Sequence, residues 1–237
     1  MVFARSAAMA FNRYIDRAID KANKRTAAVR EIPNGSIKPK AALIFVIINC
    51  VLFVVTTFLI NNLCFYLSPI ALVVVLGYSL TKRFTALCHL VLGVGLALAP
   101  IGAYLAVTGS FAWLPLYISF AVLFWVAGFD MIYALQDEVF DKKMGLSSIP
   151  AKIGRKATLN LSVLFHIITA GYLISAAYHA NAGLLFWIGT ALFISLLVYQ
   201  HLLVKPNDLS KVNIAFFTTN GIASLIFSIF VILSFYL

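Results

Sequence analysis

The run FNRYIDRAID places three oxygen-bearing side chains, Asn12, Asp16 and Asp20, at intervals of four residues. In a helix this spacing puts them on one face, with Arg13 and Arg17 on a neighbouring face. A solvated helix end with intrahelical ion pairs is one interpretation of this pattern. The run ends an apolar segment, however, and unpaired carboxylates at a membrane boundary are costly and usually functional. We therefore expect an acidic binding site here.

A second acidic group lies in the run GFDMIYALQDEVFD. Asp130, Asp137 and Asp141 are separated by seven and four residues, and Tyr133 joins the same helical face. Asp130 lies about two turns inside an apolar stretch, where a carboxylate must face a polar cavity because contact with lipid would be too costly. A structural carboxylate paired with one cation is the alternative. Two acidic groups at the same membrane depth favour a shared function.

Several oxygen-bearing side chains within each short run suit a hard cation such as Mg²⁺, which prefers one or two carboxylates together with substrate phosphates. Neither group contains the His or Cys ligands that zinc or copper prefer. Two carboxylate-bound metal ions facing each other would clamp a diphosphate between them. Cations that match such an anion follow the first group and the apolar stretch at about 63–80: Lys21, Lys24, Arg25, Arg30, Lys82 and Arg83. Arg5 precedes Asn12 by seven residues, so we expect it on the same face, about 10 Å deeper and directed into the cavity.

The composition excludes a soluble globular domain, because 62% of the 237 residues are hydrophobic and only 11% are charged. Disorder and, with three cysteines, a disulfide scaffold are excluded as well. A helix that crosses a membrane needs roughly 17–25 mostly apolar residues. Seven stretches meet this requirement, at about 41–60, 63–80, 86–108, 112–135, 157–178, 182–203 and 213–237.

The apolar opening, from Met1 to about Ile15, is too short to cross a membrane by itself. We interpret it as the second half of a spanning helix whose beginning is absent. A secretory signal is the alternative interpretation, but no small-residue cleavage site follows the segment.

The basic residues predict the orientation of the bundle. Alternate connections, at 16–40, 81–85, 136–156 and 204–212, contain nearly all of the 18 Lys and Arg residues, and the connections on the opposite side contain none. The basic side is therefore expected to be cytoplasmic. This orientation and attraction to phosphate groups explain the net charge of +10, so nucleic-acid binding is not expected.

The four histidines share no face or spacing: His89, His166, His179 and His201. Each is predicted to be packed or interfacial rather than catalytic. Asn220 is polar and lies in the middle of the last apolar stretch, so we expect it to hydrogen-bond between helices or to reach the pocket.

Three ordered motifs resemble those of the UbiA-type intramembrane prenyltransferases. The family's N-x3-D-x3-D motif and the R-T pair after it are matched by Asn12, Asp16, Asp20, Arg25 and Thr26. Its D-x2-Y-A-x2-D-x3-D motif is matched by Asp130, Tyr133, Ala134, Asp137 and Asp141, and its Y-x3-K-R element by Tyr78, Lys82 and Arg83. Finer details such as YSLTKRFT resemble the 4-hydroxybenzoate polyprenyltransferase branch, and within it the bacterial members of the futalosine route to menaquinone.

The resemblance implies an all-α fold, a polytopic transmembrane helical bundle. The family has nine spanning helices, and this sequence supplies seven full ones and a truncated one. Residues 1–237 are thus expected to form a single transmembrane prenyltransferase domain that lacks the first helix and part of the second. Either the start is misassigned, or the chain is a truncated product.

The resemblance also implies Mg²⁺-dependent transfer of a polyprenyl group from polyprenyl diphosphate to an aromatic acceptor in menaquinone or ubiquinone biosynthesis. The acceptor would be similar to 4-hydroxybenzoate or to a naphthoate. The implied metal ligands are Asn12, Asp16 and Asp20 for one ion, and Asp130 and Asp137 with Asp141 close by for another. The implied catalytic residues are Asp16, Asp137 and Tyr133, and the candidate substrate-binding residues are Arg5, Arg25, Tyr78, Lys82 and Arg83.

The expected partners are the two substrates and membrane lipid, with no nucleic acid and no obligate protein partner evident. The expected location is the bacterial inner membrane, with the active site on the cytoplasmic side.

Three alternatives stay open from the sequence. A CDP-alcohol phosphotransferase also acts on a lipid diphosphate, but its longer D-x2-D-G-x2-A-R signature is not present. A small-molecule transporter buries acids and bases, although it would place them near the bilayer midplane between repeated halves. An inactive, truncated member of the prenyltransferase family would retain all of these residues.

Overall fold

The protein is a bundle of helices, as the sequence predicts. The computed structural model describes residues 1–236, and no β-strand occurs among them. The helices are α1 (Val2–Ile15), α2 (Arg17–Ala22), α3 (Lys24–Ala27), α4 (Pro39–Ile60), α5 (Asn62–Thr81), α6 (Cys88–Thr108), α7 (Trp113–Ala134), α8 (Glu138–Met144), α9 (Ile149–His179), α10 (Leu184–Leu203) and α11 (Asn220–Leu233). A 3₁₀ turn (Leu135–Asp137) joins α7 to α8, and a π-helical turn (Ile214–Thr219) leads into α11. The final residue of the predicted stretch 213–237 lies outside the described residues.

Seven helical segments are long and apolar enough to cross a membrane, and they overlap the seven predicted stretches. They are Pro39–Ile60, Asn62–Thr81, Cys88–Thr108, Trp113–Met144, Ile149–His179, Leu184–Leu203 and Ile214–Leu233. Large apolar side chains such as Phe58, Val73 and Leu202 remain exposed on their outer faces, where lipid would cover them. The protein is therefore an integral membrane protein.

Helix α7 is the best-buried helix of the bundle and supports the second acidic motif at its C-terminal end. It packs between α6 and α9, and Ala127, Met131 and Ile132 have no exposed surface. Gly93 allows α6 to approach closely, because a Cβ added there would lie 2.4 Å from the backbone oxygen of Leu123. The position of α7 is thus fixed by close packing on both sides.

Both acidic motifs depart from the straight helical faces that their spacing predicts. The first breaks at Asp16, whose φ of −89° and ψ of 5° separate α1 from α2. The guanidinium of Arg83 donates to the carbonyl oxygen of Ile15 at 2.7 Å and so competes with the next turn of the helix. The second motif bends at the 3₁₀ turn Leu135–Asp137. The prediction of one straight face for each motif is therefore wrong, although the acids of each motif remain neighbours in the chain.

The connection between α8 and α9 is attached to the connection between α5 and α6. The backbone N–H of Ser147 donates to the carbonyl oxygen of Lys82 at 2.8 Å. The thiol of Cys88 donates to the carbonyl oxygen of Ser147 at 3.6 Å. These contacts hold Lys82 beside the second acidic motif.

Candidate active site

Arg25 follows the first acidic motif by five residues and contacts two residues of the second motif. Its Nε donates to Oδ1 of Asp137 at 3.1 Å, and its Nη2 donates to Oδ2 of the same carboxylate. Its Nη1 donates to the hydroxyl of Tyr133 at 2.9 Å. Burial lowers the pKa of Arg25, but the hydrogen bonds and charge of Asp137 outweigh this effect and raise the pKa above its usual value. The structure thus brings Arg25, Tyr133 and Asp137 together, with Arg25 charged.

Asn23 holds both members of this ion pair and was not identified from the sequence. Its Oδ1 accepts a hydrogen bond from the backbone N–H of Arg25 at 3.0 Å and caps α3. Its Nδ2 donates to Oδ1 of Asp137 at 2.9 Å. An asparagine directly before a short helical run is a typical N-cap, so the sequence carried a signal for the first contact but none for the second.

Lys82 lies between the two acidic motifs. Its Nζ is 2.8 Å from Oδ1 of Asp141, whose side chain has no exposed surface. Burial lowers the pKa of Lys82, but the charges of Asp141 and Asp137 raise it above its usual value. The charge of Lys82 also acts on Asp16 and Asp20 of the first motif. One ammonium group therefore lies within electrostatic reach of both acidic groups.

The first motif forms a separate group of contacts around Asp16. Nδ2 of Asn12 donates to Oδ2 of Asp16 at 3.1 Å, and Nη2 of Arg83 donates to Oδ1 at 3.2 Å. Burial raises the pKa of Asp16 and that of Asp20, and the charge of Asp16 adds to the rise at Asp20. Ser79 also contacts Asn12, at 3.4 Å, and was not identified from the sequence.

Tyr78 and Arg5 have different positions relative to these contacts. Tyr78 is half-buried in the last turn of α5, next to Ser79, whose hydroxyl oxygen lies 3.4 Å from Nδ2 of Asn12. Arg5 is exposed and forms no ion pair within residues 1–236. The structure therefore brings Tyr78 to the site but does not bring Arg5 into contact with it.

Asp130 is bound by a histidine that the sequence did not associate with the site. Nδ1 of His89 donates to Oδ2 of Asp130 at 2.7 Å. The two residues are 41 positions apart on different helices, so no local spacing could reveal the contact. His89 is buried, as predicted for a packed histidine, but its partner is a motif carboxylate. The interhelical hydrogen bond expected for Asn220 occurs, because Nε1 of Trp125 donates to Oδ1 of Asn220 at 3.0 Å.

The residues of the site are compatible with Mg²⁺. No group of three His, Cys, Asp or Glu side chains converges within the described part of the chain, and four of the six motif ligands are instead paired one by one with cations. Mg²⁺ usually takes only one or two carboxylates and completes its shell with water and substrate phosphate oxygens, so each motif supplies enough ligands. Oδ1 of Asp141 pairs with Nζ of Lys82, whereas the fully buried Oδ2 accepts no hydrogen bond from residues 1–236. Such an oxygen is typical of a carboxylate that has a further ligand to bind.

Comparison with known proteins identifies relatives along nearly the whole chain. The UbiA prenyltransferase family matches residues 1–222. A 4-hydroxybenzoate octaprenyltransferase of Aliivibrio fischeri (strain MJ11) is 33% identical over 232 residues, which represent 96% of this chain and 78% of that protein.

Solved structures agree with this relationship. The apo structure of a UbiA homologue from Aeropyrum pernix K1 is 30% identical and superposes with a TM-score of 0.90, covering 99% of this chain and 86% of that one. A UbiA homologue from Archaeoglobus fulgidus bound to DMAPP and Mg²⁺ is 20% identical, with a TM-score of 0.67 over 95% of this chain and 84% of that one, and shares the fold. The family predicted from the three motifs is confirmed, and the chain belongs to the UbiA prenyltransferase family, a family of integral membrane enzymes.

Proposed function

We propose that this protein transfers a polyprenyl group from polyprenyl diphosphate to an aromatic acceptor with the help of Mg²⁺. The acceptor is a hydroxybenzoate or hydroxynaphthoate, and the product is a precursor of ubiquinone or menaquinone. The observation that carries the proposal is the contact of Arg25 with Asp137 and Tyr133, which brings the segment that follows the first acidic motif against the second motif. The relative from Aliivibrio fischeri, named for octaprenyl transfer to 4-hydroxybenzoate, supports this class of reaction.

The acidic residues are suited to hold Mg²⁺ on either side of the diphosphate. Asn12, Asp16 and Asp20 would provide ligands from one side, and Asp130, Asp137 and Asp141 from the other. When bound, Mg²⁺ would neutralise charge on the departing diphosphate. The homologue from Archaeoglobus fulgidus, which binds DMAPP together with Mg²⁺, supports this assignment through the shared fold.

The cationic residues are suited to bind the diphosphate oxygens. Arg25 would present its forked donors to the phosphate once Asp137 turns to its metal ion, and Lys82 would act as a point charge between the motifs. Arg83 would contribute from the side of the first motif, where it now pairs with Asp16. In the reaction the allylic carbon–oxygen bond breaks, a carbon–carbon bond forms with the acceptor ring, and the ring loses a proton.

A row of aromatic rings leads from the charged site into the bundle and would exclude water from the reacting carbon. The ring of Tyr133 stacks on that of Phe216 with centroids 4.1 Å apart, and Phe129 and Trp125 continue the row at 5.3 Å per step. Aromatic faces also stabilise positive charge. The row therefore offers an apolar path for the prenyl chain beside the site at which its diphosphate leaves.

A transfer assay tests the proposal directly. Membranes that contain the chain would be given radiolabelled polyprenyl diphosphate with 4-hydroxybenzoate or a hydroxynaphthoate, in Mg²⁺ or in excess EDTA, beside membranes without the chain. We expect a labelled, lipid-soluble aromatic product that requires the chain, Mg²⁺ and one of the two acceptors. Absence of product with both acceptors in Mg²⁺, or a product that persists in EDTA, would contradict the proposal.

A further inference from the structure

His89 connects three helices at the inner end of the acidic site. It lies in the first turn of α6, and only 3% of its surface is exposed. Its Nδ1 is 2.7 Å from Oδ2 of Asp130 on α7. On the opposite side of the ring, the backbone N–H of Ile149, the first residue of α9, is directed at Nε2 at 3.4 Å. The imidazole is thus held from both ends.

The contact with Asp130 identifies Nδ1 as a donor. A carboxylate oxygen accepts hydrogen bonds, so the 2.7 Å contact with Oδ2 places a proton on Nδ1. The amide of Ile149, at the buried N-terminus of α9, contacts the opposite end of the ring. Groups on two neighbouring helices thus orient the histidine.

The hydrogen bond from Nδ1 leaves the other carboxylate oxygen of Asp130 available. His89 occupies Oδ2, and no residue in the described range 1–236 donates a hydrogen bond to Oδ1. Mg²⁺ requires near-ideal octahedral geometry, so a carboxylate ligand performs best when its orientation is already fixed. A hydrogen-bond donor on the far oxygen provides that orientation and leaves Oδ1 for the ion.

We propose that His89 is a positioning residue that holds Asp130, through Nδ1–H, in the orientation required to ligate a divalent cation. The inference rests on the proposed function, because it assigns Asp130 to the Mg²⁺ site. His89 itself contacts neither the ion nor the substrates. Its action is confined to the hydrogen bond on Oδ2 of Asp130.

Two substitutions separate this role from simple packing. In His89→Asn, the side-chain amide nitrogen occupies the place of Nδ1 and still donates to Asp130. In His89→Leu, the volume remains but the donor is lost. Both variants remove the contact of Nε2 with Ile149, so any loosening of α9 is common to both. A difference in metal affinity between the two variants therefore measures the effect of the hydrogen bond to Asp130.

The direct measurement is Mn²⁺ binding to the purified, detergent-solubilised protein in the presence of inorganic diphosphate, followed by electron paramagnetic resonance. We expect His89→Leu to bind Mn²⁺ about 10- to 100-fold more weakly than the unmodified protein, as is typical when a partner of a metal ligand is lost. We expect His89→Asn to stay within about threefold of the unmodified protein. If both variants bound Mn²⁺ equally weakly, or if both bound it as tightly as the unmodified protein, the positioning role would be overturned.

A second measurement on the unmodified protein keeps the inference testable if His89→Leu does not fold. Ring-¹⁵N-labelled histidine, with the His89 signals assigned by their loss in His89→Asn, reports which ring nitrogen carries the proton. We expect protonation at Nδ1, whereas a proton on Nε2 alone would overturn the inference. Failure of the unmodified protein to bind any Mn²⁺ would instead contradict the proposed Mg²⁺ site, so the two failures are distinguishable.

Discussion

Arg25 satisfies three acceptor atoms with one guanidinium group, and this geometry explains why an arginine stands there. The planar fork binds both oxygens of Asp137, and the remaining nitrogen donates to Tyr133. A lysine ammonium is a compact point charge and cannot reproduce a bidentate contact together with a third hydrogen bond. Hydrogen bonds to charged groups contribute about 1.5–3 kcal/mol each, so this position should be sensitive to conservative change.

Arg25→Lys is therefore expected to lower kcat/KM for polyprenyl diphosphate by roughly tenfold or more, because at least one charge-assisted hydrogen bond is lost. The measurement is the initial rate of transfer at several donor concentrations in membranes with equal amounts of protein. A rate within twofold of the unmodified enzyme would show that the forked geometry is not required.

Tyr133→Phe removes only the hydroxyl that accepts from Arg25, since the phenylalanine ring can still stack on Phe216. We expect kcat/KM to fall by about three- to tenfold, with little change in thermal stability. Tyr66→Phe is the matched control, because Tyr66 is 72% exposed on the outside of the bundle and should show no loss. Equal rates for the two variants would remove the assigned role of the Tyr133 hydroxyl.

The motif residues could be predicted from the sequence, but the contacts among them could not. Asp16, Asp137 and Lys82 follow from spacing and charge type within short runs. Asn23, Ser79 and His89 reach the site through contacts between distant parts of the chain, which depend on how the helices pack. Arg5 is exposed and pairs with no carboxylate among residues 1–236, so the direction that helical spacing predicts for it stays a prediction.

Among the helices, the distance between α6 and α7 determines the position of Asp130 in the second acidic motif. His89 lies on α6 and Asp130 on α7, and Gly93 permits the close approach of the two helices one turn further on. Helices in membranes associate through such close packing because lipid provides no hydrophobic drive. A side chain at Gly93 would therefore lower the stability of the protein and distort the geometry around Asp130.

Gly93→Ala and Gly95→Ala form a matched pair on α6. An added Cβ lies 2.4 Å from the backbone oxygen of Leu123 at Gly93, but no closer than 3.9 Å to the side chain of Val75 at Gly95. We expect Gly93→Ala to lower the free energy of unfolding by about 1–3 kcal/mol, as is usual for overpacking. Gly95→Ala should be neutral or slightly stabilising, because alanine favours helix. Thermal unfolding in detergent measures both, and equal melting temperatures would contradict the packing argument.

The lengths and order of the spanning helices could be predicted, whereas their interruptions could not. Apolar stretches of sufficient length predict a membrane helix because the backbone must satisfy its own hydrogen bonds in lipid. The break at Asp16 arises instead from the donation of Arg83 to the carbonyl of Ile15, a contact across 68 positions. The 3₁₀ turn at Leu135–Asp137 likewise lies beside the Arg25 and Asn23 contacts to Asp137, which come from a distant segment.

At the scale of the whole molecule, the charge distribution predicts which side of the membrane carries the site. The acidic motifs, Arg25 and Lys82 all lie at the end of the bundle where the basic connections gather. Basic connections are retained on the cytoplasmic side during insertion. We therefore expect the site to open toward the cytoplasm, where soluble aromatic acceptors are available.

Cysteine labelling tests this orientation in a variant whose three native cysteines are replaced by serine or alanine. Ser36→Cys lies in the connection before α4 and Ser110→Cys in the connection before α7, and both positions are exposed. A membrane-impermeant maleimide is expected to reach Ser36→Cys only from the cytoplasmic face and Ser110→Cys only from the opposite face. Labelling of both from the same face would contradict the orientation.

If the two acidic motifs act as one site, transfer should require each of them, and one substitution in each motif measures this requirement. Asp16→Ala changes the first motif, Asp137→Ala changes the second, and Asp208→Ala is a control at an exposed carboxylate in the connection after α10. Mg²⁺-dependent polyprenyl transfer would be measured in membranes with equal amounts of each protein. We expect Asp16→Ala and Asp137→Ala each to abolish transfer while membrane insertion is retained, and we expect Asp208→Ala to be fully active. Transfer retained by both motif variants would contradict this expectation.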